Sequence, residues 1–199
     1  MGITLRQFAQ LQGRAHTRRA ALEVVPGVSA ASPHSIILGV DPSVRGTGFG
    51  VIRLERRQPV ALGHGTVRCP ARWARSRCLA QIARTLREQI EKFQPTVCIV
   101  EGLFYAQNFQ TALIMGEARG ASLVAAAEAG LEIFEISPRK VKQAVVGYGA
   151  AQKLAVAKMV QRMLHMAETP AADAADALAL ALAYAQTASG FNFDPPKRV

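Results

Sequence analysis

From Ile36 onward the chain alternates short apolar blocks with turn signals, then changes to longer stretches with helical spacing. Ile36–Asp41 reads I-I-L-G-V-D, a continuous apolar run that suits a strand buried on both faces. A turn over Pro42–Thr47 leads to a second run, Gly48–Leu54, and a third follows at Val60–Val67. Such short connections predict antiparallel neighbours. Ala71–Phe93 carries Trp73, Leu79, Ile82, Leu86 and Ile90 on one helical face, with Arg72, Arg75, Arg77, Arg84 and Arg87 on the other; a basic face of this kind is most simply a solvated one. Gln94-Pro95-Thr96 ends that helix. Val97–Val100 is a further buried strand, closed by Glu101.

The second half is mainly helical. An Ala-rich helix is predicted over Phe109–Ala129, with Gly116 and Gly120 one turn apart, and a fifth strand over Leu131–Ile136. Ser137-Pro138 starts a helix, with Pro in its first turn. Gly147-Tyr148-Gly149 is a loop, and Ala151–Leu164 another helix. The last helix starts near Thr169-Pro170 and reads A-A-D-A-A-D-A-L-A-L-A-L-A-Y-A. Strands followed by alternating helices and strands predict an α/β fold with a five-stranded mixed sheet, the first three strands antiparallel and the last two parallel, flanked by helices.

Residues 1–34 differ from the rest: Arg6, Arg14, Arg18 and Arg19 stand against one acid, Glu23, before the stretch V-P-G-V-S-A-A-S-P. This predicts a flexible basic extension, with an upstream start codon or an organelle transit peptide as other readings. Residues 35–188 form the expected folded domain, and 189–199, Pro-rich and ending Lys-Arg-Val, a loosely ordered tail. The 199 residues contain 24 Lys+Arg against 14 Asp+Glu, a net charge of +10. That excess points to a polyanionic partner, most simply nucleic acid. Three cysteines without C-x-x-C spacing argue against a disulfide framework or structural zinc and fit a reducing compartment. No uncharged apolar run reaches the ~18 residues of a membrane span, so a soluble protein is expected.

Against this basic background, four acids stand in apolar surroundings. Asp41 and Glu101 each end a buried strand; Asp173 and Asp176, three apart, share a face of an Ala/Leu helix. Each has an ordinary explanation: an aspartate before a turn caps it, and acids suit a helix start, although Asp176 lies beyond the first turn. Strand neighbours lie ~4.8 Å apart, so parallel pairing would bring Asp41 and Glu101 within reach of one ion. All-oxygen ligands favour Mg²⁺ or Mn²⁺, and four carboxylates can hold two ions, the arrangement used for in-line attack on a phosphodiester.

The order strand–Asp, antiparallel strands, helix, strand–Glu and a late helix with paired Asp resembles the ribonuclease H-like plan. More narrowly, G-V-D-P-S-V-R-G-T-G-F-G-V-I, V-E-G-L-F-Y-A-Q-N, A-L-I-M-G-E-A-R-G, V-K-Q-A-V-V-G-Y-G-A-A-Q-K and D-A-A-D-A-L-A-L-A resemble the RuvC family of bacterial Holliday junction endonucleases. The resemblance runs from Ile36 to Ala185. It implies Asp41, Glu101, Asp173 and Asp176 as the catalytic, metal-binding acids, with two Mg²⁺ per subunit and Mn²⁺ as an alternative. It implies Phe104 stacking on a base, Tyr105 beside it, Lys142 and Lys153 at phosphates, and Arg45 and Thr47 positioning backbone or substrate. It further implies a homodimer that nicks two opposed strands of a four-way junction in the bacterial cytoplasm and works with a branch-migration helicase complex. The Ala112–Ala129 helix is the implied dimer surface. The family has Gly after Asp-Pro where this chain has Ser43. Other readings are a non-catalytic junction-binding protein, another ribonuclease H-like nuclease, or, from the turn D-P-S-V-R-G-T-G, an actin-like phosphate loop, whose second domain the chain is too short to supply.

Overall fold

The apolar runs become β1 (Ile36–Asp41), β2 (Gly46–Leu54), β3 (Pro59–Arg68), β4 (Val97–Glu101) and β5 (Glu132–Ile136). The computed structural model describes residues 34–55, 58–102, 108–188 and 196–199, all within one compact unit, Ser32–Val199. Phe104, Tyr105 and residues 1–33 lie outside these. A sixth strand, β6 (Lys197–Arg198), adds to the expected five, so that part of the expected loose tail pairs on the sheet. Strand order is β3-β2-β1-β4-β5-β6. The first three strands pair antiparallel and β1-β4-β5 parallel, as the connection lengths predict.

The helices are α1 (Arg75–Phe93), α2 (Phe109–Glu128), α3 (Pro138–Val146), α4 (Lys153–Met163) and α5 (Ala172–Ala188). None among the described residues is long and apolar enough to cross a membrane. Alternation along the strands divides the core. Leu38, Val40, Cys98 and Val100 pack with α1 and α2, whereas Ile37, Val97 and Ile99 pack with α5, α3 and α4. The all-apolar sequence of α5 follows from its place: it lies between the sheet and the α3–α4 pair, and Ala177 to Ala183 are at most 1 % exposed. A helix apolar on every side is a buried one.

α1 starts at Arg75, four residues later than predicted. The preceding turn is held instead by Arg45, whose Nη1 donates to Pro70 O at 2.7 Å and Trp73 O at 3.2 Å. Arg75 and Arg87 of the basic face pair with Glu117 and Glu128 on α2, at 3.1 and 2.7 Å, so they tie helix to helix. α3 opens as expected, with Ser137 Oγ accepting from Lys140 N and Pro138 at its first position, and closes on left-handed Gly147. The three cysteines are buried free thiols.

Candidate functional site

Asp41 and Glu101 end β1 and β4. Their strands pair in parallel up to Val40–Val100, one residue short of the two acids, so both side chains emerge at the same end of the sheet on the α5 side. The two carboxyls meet: Glu101 donates a hydrogen bond to Asp41. Asp176 and Asp173 of α5 are close enough to act on Asp41 through their charge. Lys153, at the start of α4, places Nζ 2.9 Å from Asp176 Oδ2.

What brings α5 there is a row of glycines. Gly46, Gly48 and Gly50 alternate along β2 and so share a face, and Gly39 sits opposite Gly50 on β1. A Cβ at Gly48 would lie 2.0 Å from the Asp173 carbonyl oxygen, and one at Gly39 2.0 Å from that of Ala177. Backbone therefore rests on backbone. Asp41 pairs across the sheet with Gly48, so the same contact seats Asp173 beside Asp41. The G-T-G-F-G spacing could have revealed this stripe in the sequence; read as part of a strand, it did not.

Burial, and next the charge of Asp176, lifts Asp41 to about 6. Burial, and next the charge and hydrogen bond of Asp41, lifts Glu101 to about 8. Like charges this close cannot both ionise without a cation. A shared proton and the Lys153 ammonium supply that positive charge here. Among the described residues, no three His, Cys, Asp or Glu side chains form a finished metal cage. The acids form instead a bonded pair with two more beside it. The donor set is all carboxylate, which suits a hard divalent ion and no soft one.

A pH dependence follows. With the folded pKa values of Asp41 and Glu101 raised, the folded state binds more protons than the unfolded one from about pH 4 to about 8. The stability of chelated protein is then greatest below that window and is lost as pH rises through it. Thermal scans in chelator should show Tm falling from pH 5 to 8.5, and Mg²⁺ should reduce the fall. A Tm that rises over this range contradicts the raised values.

The remaining expected site residues divide. Thr47 is 0 % exposed, and its hydroxyl donates to Ser43 O at 2.6 Å while accepting from Ser43 N. These two bonds staple the turn after Asp41. Arg45 is exposed, and its Nη1 also lies 3.2 Å from Cys78 Sγ, beside the bonds to Pro70 and Trp73. Lys142 lies on α3, half-buried. On α2, a Cβ at Gly116 or Gly120 would have nothing within 4 Å, so these glycines do not serve the core, and Phe109, Leu113 and Val124 are exposed.

Residues 37–184 match the family model of crossover junction endodeoxyribonuclease RuvC. The crossover junction endodeoxyribonuclease RuvC of Akkermansia muciniphila is 46 % identical over 161 residues, 81 % of this chain and 93 % of that protein. The Vibrio parahaemolyticus protein of the same name is 47 % identical over 153 residues, 77 % of this chain and 88 % of its own. A solved structure of Thermus thermophilus RuvC in complex with Holliday junction substrate superposes with a TM-score of 0.75 at 32 % identity, over 83 % of this chain and 100 % of that one. With strand-end acids in place and a family model spanning the sheet and α5, this chain belongs to the crossover junction endodeoxyribonuclease RuvC family.

Proposed function

We propose that this chain resolves four-way DNA junctions by paired, metal-dependent nicks in two opposed strands, leaving 5′-phosphate and 3′-hydroxyl ends. The observation that carries the reading is the meeting of Asp41 and Glu101 at adjacent strand ends with Asp173 and Asp176 beside them, in a chain with a net charge of +10. These four carboxylates would hold two Mg²⁺, or Mn²⁺ in its place. When bound, such ions activate a water and stabilise the leaving 3′-oxygen. Lys153 is 70 % exposed on its side chain, so its ammonium can leave Asp176 for a phosphate. Lys142 adds a second phosphate contact. Phe104 and Tyr105 are assigned to the junction bases.

Opposed nicks require two sites, and α2 offers a surface for a second copy. Phe109, Leu113 and Val124 are exposed beside Gly116 and Gly120, where another backbone can approach. Leu113→Arg should leave the monomer folded, since Leu113 is 52 % exposed, yet halve the molar mass in light scattering; a dimer that survives it places the interface elsewhere. A branch-migration helicase complex is the expected cellular partner, in the bacterial cytoplasm.

A labelled four-way junction tests the whole reading. Mg²⁺ should give symmetric nicks, and chelator should stop nicking without stopping binding. Affinity should fall steeply with salt, as for any backbone-dominated interface. Binding without cleavage in Mg²⁺ would leave a junction-binding protein and sink the enzyme.

A further inference from the structure

From Arg68 to Arg87 the chain carries six arginines and no acid. Two of the six are spent inside the protein, Arg75 on Glu117 and Arg87 on Glu128. Arg68, Arg72 and Arg77 are exposed, and among the described residues none of the three pairs with an acid.

All three stand at the end of the sheet that carries the four acids. β3 runs antiparallel to β2, which places Arg68 opposite Gly46. A Cβ at Gly46 would lie 3.0 Å from Asp173 Oδ2. Val67 belongs to the core on the α1 side. Its neighbour Arg68 therefore faces the other side, that of Asp41 and α5. The chain then turns the corner into α1, which brings Arg72 and Arg77 to the same end.

That corner is fastened to the turn after Asp41. Arg45 O accepts from Cys69 N at 3.2 Å, and Arg45 Nη1 donates to Pro70 O and Trp73 O. Trp73 in turn carries Arg77, whose guanidinium carbon lies 3.9 Å from the ring centroid. A guanidinium stacked in this way keeps the N–H groups of its edge for a ligand. Ordering a long side chain opposes binding, and stacking does part of that ordering beforehand. Guanidiniums without a counter-charge repel one another and call for an anion. A small anion meets one of them. A nucleic-acid strand, with a phosphate at every nucleotide, can meet all three while one of its phosphodiesters lies at the acids.

We propose that Arg68, Arg72 and Arg77 form a phosphate track for the DNA arm that leaves the cleavage site, Arg68 beside the scissile position and Arg72 and Arg77 further along the arm. This rests on the nuclease reading above and adds to it the path of the arm over the end of β3 and the start of α1.

The chain's one tryptophan, Trp73, reports on the track. In chelator, titration with a four-way junction should change its emission with the midpoint seen in a gel-shift assay. R68Q and R72Q should each lower the slope of log affinity against log salt by about 0.9, the value for one phosphate contact on duplex DNA. R68Q/R72Q/R77Q should lower it by about 2 to 3. In Mg²⁺ the triple variant should raise KM for junction nicking at least tenfold, more than it lowers kcat. R84Q removes a like charge about 10 Å further along α1, away from the acids, and should leave slope and KM as in wild type. The single variants secure the result if loss of Arg77 from the Trp73 ring disturbs the fold. Slopes for R68Q and R72Q equal to that of R84Q, or Trp73 emission indifferent to bound junction, overturn the track while wild-type nicking still supports the nuclease. Wild type that neither binds nor nicks the junction overturns the nuclease reading, and the track with it.

Discussion

Asp41→Asn is expected to reduce junction nicking by at least ~10³-fold, a barrier increase of ~4 kcal/mol, while junction affinity stays close to wild type. Asparagine keeps the size of the side chain and removes the charge a divalent ion needs. Asp41 ends a central strand, hydrogen-bonded to Glu101 and lifted to about 6 by burial and by Asp176. Its ionised form is therefore costly to the metal-free fold. The same substitution should leave Tm in chelator unchanged or raised, because it removes a half-buried charge from beside like charges. This combination separates a metal ligand from a structural acid, whose loss would lower Tm. Gel assays for nicking and binding, with thermal unfolding in chelator, measure all three. Cleavage by the variant at wild-type rates would remove Asp41 from the site.

The second large effect lies at Gly48. An alanine Cβ there would stand 2.0 Å from the Asp173 carbonyl oxygen and 2.5 Å from its carbon. Both are backbone, held by a buried helix on one side and a central sheet pair on the other. Neither can move aside as a side chain could, so Gly48→Ala should destabilise by ~3 kcal/mol or more. Gly46→Ala is the informative contrast. Its Cβ would meet the Asp173 Oδ2 at 3.0 Å, the end of a rotatable side chain. That variant should keep nearly its wild-type Tm and lose nicking, because the carboxylate shifts. Denaturant unfolding beside cleavage assays distinguishes the two. A Gly48→Ala protein of normal stability would show that α5 does not rest on β2 as described.

Much of the frame was legible in the residues. The run I-I-L-G-V-D could be a strand buried on both faces because no polar side chain interrupts it until Asp41. Ser137-Pro138 announced a helix start that the structure keeps, through the Ser137 hydroxyl and Pro at the first position. The paired acids on α5 stood out because an otherwise apolar helix has no local reason to carry Asp176. The two-residue β6 was not legible, since Lys197 and Arg198 have no strand pattern of their own. They pair because Glu132 and Glu135, over sixty residues earlier, wait on the β5 edge. Arg45 was placed correctly in the turn, whereas Thr47 already belongs to β2, and their partners, Pro70, Trp73 and Ser43, were not legible in the sequence.

Local pattern by itself determined which segments are strands and helices and which four acids stand out, because hydrophobic period and the cost of a charge among apolar neighbours act along the chain. The tertiary structure decided that Asp41 and Glu101 meet and that Asp173 and Asp176 stand beside them. That depends on how closely two backbones approach, and the closeness is set by the absence of side chains at Gly39 and Gly48, where Ala177 and Asp173 rest their carbonyls on the sheet.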